Sequence, residues 1–134
     1  MVSVMIAKGT FSVKMSGEPP YDEVDGVSLS RASFDKEFSG PLTACSQVQM
    51  LAARTPVANS AGYVAVERIV GSLEGKEGSF VVLHLGLMTR GADQLTVVVV
   101  PDSGTGALAG LAGTMTIDIV DGQHHYTLDY SLGG

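Results

Sequence analysis

The sequence is poor in several features on which common protein classes depend. A single cysteine, Cys45, excludes an intrachain disulfide and indicates a reducing compartment. Only eight lysines and arginines stand against fourteen acidic residues, and the net charge of −6 disfavours nucleic acid and anionic membranes as partners. No apolar run is long enough for a membrane-spanning helix, and the N-terminus has no pattern of a cleaved secretion signal. We therefore expect a soluble, cytoplasmic protein.

Glycine and aliphatic residues are abundant, and they indicate an all-β protein. Seventeen glycines, 45% hydrophobic residues and no tryptophan are typical of a chain with many turns. Strand-like stretches separated by turn residues occur at 4–15, 27–39, 42–54, 61–70, 79–88, 95–100, 114–120 and 123–132, and the acidic stretch 16–26 is predicted to be a loop. Eight sequential strands without crossovers predict an up-and-down antiparallel β-barrel, one domain over residues 1–134, with a sandwich as the alternative.

A glycine pattern occurs twice. Gly71 to Phe80 and Gly106 to Met115 both read G-x-L-x-G-x-x-G-[S/T]-apolar. Each copy lies between two strand-like runs, so each is predicted to be the end of a hairpin. The repeat also allows an inside-outside assignment to be transferred from one hairpin to the other.

The Asp121-Gly122 pair is the strongest hairpin signal in the chain, and it predicts a register. A two-residue turn places one apolar and aromatic set on the inward face: Met115, Ile117, Ile119, His124, Tyr126, Leu128 and Tyr130. The repeat matches Ile119 to His84, which should therefore point into the barrel. With Gly75-Lys76 as the tip of the first turn, His84 would lie opposite Glu67, and Met88 opposite Tyr63.

These residues form the candidate lumen site: Glu67, His84, Tyr63, His124 and Tyr126. Glu67 and His84 are either an acid–base pair or a buried ion pair that fixes the strand register, and a register shift of one residue would turn both outward. His124 is expected at the barrel rim, because it is close to the turn. The histidine spacing matches no metal site, so neither a metal nor a cofactor is expected.

Two further motifs are interpreted as turns. Asp102-Ser103-Gly104-Thr105 has the letters of an aspartic protease signature, but Pro101 precedes it and too little chain follows for the rest of such an enzyme. The glycines of 104–110 lack the Lys and Ser/Thr of a phosphate-binding loop.

The outward face of the first hairpin is also apolar. It carries Val64, Val66, Val70, Val81, Leu83, Leu85 and Leu87, and the run 95–100 extends it. An exposed surface of this kind is an aggregation hazard. We therefore expect that the N-terminal segment overlies it or that a homo-oligomer buries it.

Several stretches together resemble the bacterial family known as domain of unknown function 3224: Asp25–Lys36, Ala53–Val57, Ser60–Arg68, Gly71–Phe80 and Val100–Gly113. His84-Leu85-Gly86 matches a His-x-Gly segment of that family. The resemblance implies a barrel similar to those of the plant allene oxide cyclases, and no assigned activity. The segment Ser103–Gly110 is also similar to a glycine-rich segment of the cyclases and the related dirigent proteins.

Two functions remain open from the sequence. The first is a barrel whose lumen binds a small, largely apolar molecule, with isomerase- or cyclase-type chemistry as one use and with Glu67, His84 and Tyr63 as polar contacts. The second is a non-catalytic barrel, filled by its own side chains, that acts through homo-oligomer surfaces. Whether the protein is an enzyme is not determined at this point.

Overall fold

A computed structural model describes residues 3–133, so the ends of the predicted domain (residues 1, 2 and 134) lie outside the described part. The described chain forms strands β1 (Val4–Gly17), β2 (Asp22–Val24), β3 (Val27–Ser39), β4 (Leu42–Arg54), β5 (Ala61–Leu73), β6 (Lys76–Thr89), β7 (Ala92–Val99), β8 (Leu111–Val120) and β9 (Gln123–Leu132), with one 3₁₀ turn at Gly106–Leu108. No helix among the described residues has the length and apolar character needed to cross a membrane.

Eight of these strands close into an up-and-down antiparallel barrel, as predicted. The hydrogen-bonded order is β1-β9-β8-β7-β6-β5-β4-β3, and a further pairing of β1 with β3 completes the circle. The sandwich alternative is therefore wrong. The prediction that residues 16–26 form only a loop is wrong, because strand β2 lies within this stretch. Strand β2 pairs only with β3, across a turn at Asp25-Gly26, and lies outside the circle.

Hairpins of the barrel turn at residue pairs that end in glycine. Asp121 and Gly122 have φ values of 51° and 79°, and Glu74 and Gly75 have 49° and 79°. Positive φ at both central residues is the type I′ geometry that matches the twist of the flanking strands. The register predicted for Asp121-Gly122 is confirmed from the Val120–Gln123 pair to the Met115–Leu128 pair.

The predicted register of the β5–β6 hairpin is wrong by two residues. Its turn is Glu74-Gly75 rather than Gly75-Lys76, so His84 lies opposite Ala65, Glu67 opposite Val82, and Tyr63 opposite Gly86. A glutamate before glycine adopts the same turn as Asp121-Gly122, and the sequence pattern did not reveal this. Since side chains alternate with a period of two, the inward assignment of Glu67 and His84 is unchanged.

The second glycine copy is not a hairpin end, contrary to the prediction. The 3₁₀ turn occupies it, and the buried side chain of Leu108 packs into the barrel core. The two copies instead lie against each other: a Cβ atom added to Gly78 would lie 2.0 Å from the Thr105 carbonyl oxygen. Close backbone approach accounts for Gly78, while the matching Gly113 of the second copy lies instead against Asp129 and Tyr130.

The two ends of the barrel differ in the burial of their inward side chains, and the more exposed end is here called the open end. At the closed end the inward side chains of Leu42, Leu73, Phe80, Leu108 and Leu111 are each 1% exposed. At the open end, which carries the Arg90-Gly91 and Asp121-Gly122 turns, inward residues are much more exposed, with Met88 at 38%, Leu95 at 41% and Ile119 at 65%.

The outside of the barrel has an apolar region on one side. Eight outward side chains of β4 to β7 form an apolar face: Leu51, Val64, Val66, Val70, Leu83, Leu85, Leu87 and Val98. Each of these eight residues is between 39% and 52% exposed. The outward residues of the same strands also include polar ones, among them Gln47, Gln49 and Arg68. The N-terminal segment does not cover the face, because Val4–Gly17 is itself a barrel strand between β9 and β3.

Candidate functional site inside the barrel

The centre of the candidate site is the carboxylate of Glu67. It points inward from β5 and is 1% exposed. The two strands next to β5 and the strand beyond β4 each contribute one inward polar side chain: Ser46 from β4, His84 from β6 and Lys36 from β3. These four residues, here called the Glu67 cluster, are the buried polar and charged side chains of the described interior.

Every oxygen of the carboxylate accepts a hydrogen bond. Lys36 Nζ donates to Oε1 at 3.1 Å, and His84 Nε2 lies 2.7 Å from the same oxygen. Ser46 Oγ donates to Oε2 at 2.6 Å. An ionised carboxylate only accepts hydrogen bonds, so the His84 proton is on Nε2 and the Nδ1 atom faces the opposite way.

The electrostatics of the cluster favour the ionised form of Glu67. Burial raises the pKa of the carboxyl group, but the hydrogen bond from His84, the positive charge of Lys36 and the hydrogen bond from Ser46 lower it further than burial raises it. The net pKa lies below the ordinary value of 4.5. Glu67 is therefore a permanent anion at neutral pH, and it orients the His84 ring.

The lysine of the cluster has a second set of contacts. Lys36 Nζ lies 4.8 Å from the centre of the Phe11 ring and 6.0 Å from that of Phe38. A cation over an aromatic face is stabilised by the ring quadrupole, most strongly where water is excluded. Lys36 is thus held between Glu67 and the aromatic side of the core.

The free nitrogen of His84 is not fully enclosed in the interior. Every fully buried side-chain nitrogen or oxygen among the described residues has a hydrogen-bond partner. The contacts of His84 within this part of the chain use Nε2 alone. Nδ1 is therefore at the boundary of the buried interior, where it is able to accept a hydrogen bond from a molecule that enters.

Tyr63 lies beyond His84 at the open end. Its ring covers Gly86 on the neighbouring strand, where an added Cβ would come within 2.2 Å of the ring. Burial raises the pKa of the Tyr63 hydroxyl, and the negative charge of Asp93 raises it further. No hydrogen bond joins Tyr63 to Glu67 or His84 in the described structure.

The structure separates the other two candidates from the Glu67 cluster. His124 lies beside the Asp121-Gly122 turn, half-buried, with its ring centre 5.0 Å from that of Phe11. Tyr126 is 1% exposed, and its hydroxyl accepts from Leu42 N at 3.0 Å and lies 3.1 Å from the carbonyl oxygen of Ser39. Tyr126 therefore secures the β3–β4 turn and is unavailable to a ligand.

Sequence reasoning missed Lys36 and Ser46. Alternation along β3 would have found the lysine, because Lys36 lies between two inward phenylalanines, Phe34 and Phe38. The same count along β4 places Ser46 between Ala44 and Val48. Both signals are weak from the sequence alone, since a lysine in a strand is usually on the solvent face.

Within residues 3–133, no three His, Cys, Asp or Glu side chains come together as a metal ion would require. The Glu67 oxygens are already occupied by an ammonium group, a hydroxyl and an imidazole. What the arrangement provides is a histidine oriented by a buried carboxylate, which is a group able to accept or donate a proton.

Comparison with known proteins gives the family. The profile described as "Protein of unknown function (DUF3224)" matches residues 7–130. The chain belongs to this family. A DUF3224 protein of unknown function from Shewanella oneidensis MR-1 has a crystal structure that is similar to this chain, with 47% sequence identity and a TM-score of 0.93 over 98% of this chain and 100% of that one. Among the curated proteins none matches.

The family membership confirms the resemblance drawn from the sequence motifs, and with it the unassigned function. The likeness of this DUF3224 barrel to the plant cyclase and dirigent barrels stays a prediction.

Proposed function

We propose that this DUF3224 protein binds a small, largely apolar molecule at the open end of its barrel. The observation that supports this is the change in exposure along the interior. The inward side chains of Met88, Leu95 and Ile119 are 38%, 41% and 65% exposed, and a buried charged cluster lies directly below them. Apolar walls with a few polar groups at the base are typical of small-molecule sites.

His84 is the polar contact at the base of this site, with the Tyr63 hydroxyl as a second one nearer the rim. Glu67 acts through His84, because Glu67 is 1% exposed and both of its carboxylate oxygens already accept hydrogen bonds from Lys36, Ser46 and His84. The ligand therefore carries one or two hydrogen-bonding groups on an apolar body, including a donor to His84 Nδ1. A histidine oriented in this way also suits isomerase- or cyclase-type proton transfer, which is the enzymatic form of the proposal.

Ring and methyl NMR signals test the site with two probes that each have an apolar chain and a hydrogen-bond donor, 1-decanol and decanamide. We expect at least one of them to shift the signals of His84, Tyr63 and Leu95. In His84→Gln the amide still donates to Glu67, but the basic Nδ1 atom is lost, so the affinity should fall by about tenfold, the value of one hydrogen bond.

Two outcomes would contradict the binding proposal. The first is the absence of any shift at these inward residues with either probe up to its solubility limit. The second is a shift confined to outward residues such as Val66 and Leu83, which would show that the probes bind only to the outside of the barrel.

A cytoplasmic location without nucleic acid or membrane partners remains part of the proposal. Cys45 is a free, exposed thiol, which suits a reducing compartment. The net charge of −6 disfavours binding to polyanions.

A further inference from the structure

The apolar face on the outside of β4 to β7 contains a groove of about 570 Å³. Its apolar lining is supplied mainly by Leu51, Val64, Val66, Leu83, Leu85 and Val98. These side chains point away from the interior, so the groove is distinct from the open end of the barrel. Soluble monomers rarely expose a contiguous apolar patch of this kind without a role for it.

The rest of the barrel exterior has a different composition. Most outward positions of β1, β8 and β9 carry small polar or charged residues, among them Lys8, Lys14, Thr116, Asp118 and Asp129, and the outward apolar side chains there, Val4, Ile6 and Val120, lie at or near strand ends. The apolar residues are therefore concentrated on one side. This asymmetry within one sheet indicates that β4 to β7 are covered by something other than water.

We infer that the apolar face is the contact surface between two copies of this chain, packed sheet against sheet. No part of the described chain covers the face, since Val4–Gly17 is a barrel strand. The charge distribution also favours a second copy of this chain. The chain carries a net charge of −6, but none of its acidic residues lines the groove, and Arg31 is the one charged residue there. Two copies can therefore meet through this face without opposing their acidic residues.

The size of the face agrees with this assignment. Four strands spaced about 4.8 Å apart, over about seven residues of about 3.3 Å each, have a projected area on the order of 450 Å². Side-chain relief raises the accessible area towards the roughly 800 Å² that each partner buries in a standard interface. Arg31 is the one basic residue that lines the groove, whereas a surface that binds anionic lipid carries several lysines and arginines.

Sedimentation equilibrium of the full chain, combined with native mass spectrometry, tests the inference. The unmodified protein should be a dimer at about 10 µM, since the dissociation constants of specific interfaces of standard size range from about micromolar to picomolar. Leu83→Arg should raise the dissociation constant at least about a hundredfold, because it buries an unpaired charge. Thr116→Arg, which adds the same charge on the polar side of the barrel, should leave the dimer unchanged.

Val66→Lys on the neighbouring strand provides an independent second variant, and circular dichroism reports whether each variant is folded. The inference is overturned if the unmodified chain is monomeric at 100 µM, a result that does not depend on any variant. It is equally overturned if folded Leu83→Arg and Val66→Lys both remain dimeric. A monomer that sediments with phosphatidylcholine vesicles would assign the face to lipid and would also overturn it.

Discussion

At the scale of single residues, the Glu67 carboxylate depends on three hydrogen-bond donors, one each from β3, β4 and β6. Lys36 and His84 share one of its oxygens, at 3.1 and 2.7 Å, and Ser46 binds the other at 2.6 Å. Moving a charge out of water is costly, and the attraction between the partners offsets that cost only while every partner is present. The cluster is therefore more sensitive to partial than to complete replacement.

Removing the lysine alone should be strongly destabilising. Lys36→Met leaves a buried anion without its cation, and we expect a loss of about 3–5 kcal/mol in the free energy of unfolding, measured by urea denaturation. Lys14→Met, at an exposed and outward position of β1, is the matched control and should change it by no more than about 0.5 kcal/mol. A loss below about 1 kcal/mol for Lys36→Met would contradict this account of the cluster.

The lowered pKa of Glu67 predicts how stability depends on pH. A carboxyl group with a folded-state pKa below its unfolded value of 4.5 stabilises the fold fully above that value. The stabilisation is lost as the pH falls through the folded-state pKa. The difference in unfolding free energy between the unmodified protein and Glu67→Gln should therefore be constant from pH 7 to about 5 and should shrink below pH 4.5.

Urea denaturation at several pH values measures this difference. Glu37→Gln, on the exposed side of β3, provides the comparison and should show no such step. If the difference between the unmodified protein and Glu67→Gln grows as the pH falls, the folded-state pKa of Glu67 is not lowered, and the prediction is wrong.

At the scale of elements, the glycines of the first repeat copy have two different roles. Gly75 has a φ of +79° and nothing within 4 Å of an added Cβ, so only the backbone conformation favours glycine there. Gly78 has the Thr105 carbonyl oxygen 2.0 Å from that position. The backbone of the loop before β8 leaves no room for a side chain.

Substitutions should separate these two roles. Gly75→Ala should cost about 1–2 kcal/mol through conformational strain, and Gly75→Asn less, because asparagine tolerates positive φ. Gly78→Ala and Gly78→Asn should both cost about 3 kcal/mol, since the obstacle is the Thr105 carbonyl. Thermal unfolding measures all four variants. Recovery of stability in Gly78→Asn relative to Gly78→Ala would show that backbone conformation, not space, decides that position.

At the scale of the whole molecule, closure depends on β1. This strand pairs with β9 over Val4 to Phe11 and with β3 over Thr10 to Gly17. A closed barrel has no free strand edge, and a free edge is a template for aggregation. The first strand of the chain thus protects the edges of two other strands.

A chain that lacks residues 1–17 should expose the edges of β3 and β9. We expect it to aggregate or to lose its cooperative thermal transition, and we expect a synthetic peptide of residues 4–17 to restore that transition in trans. Differential scanning calorimetry with and without the peptide measures the effect. A truncated chain that melts like the full chain without any peptide would show that closure contributes little.

Alternation and turn chemistry were sufficient to predict the barrel and the inward positions of Glu67 and His84. The inward and outward assignments were correct despite the two-residue error in register, because a shift of two residues leaves each side chain on the same face of the sheet. Local patterns did not predict the 3₁₀ turn at Gly106–Leu108, which forms where Gly78 and Thr105 approach each other. That approach joins two segments that are distant along the chain.

The sequence by itself determined the eight barrel strands, most of the turns and the faces on which side chains lie, because these depend on local propensity and a period of two. Only the tertiary structure decided that Lys36, Ser46 and His84 share one carboxylate, and that Tyr126 does not belong with them. Strand stagger and barrel closure determine which inward residues meet, and both arise from long-range pairing. The apolar face, by contrast, was visible in the sequence, and its exposure became evident once β1 was placed within the barrel wall.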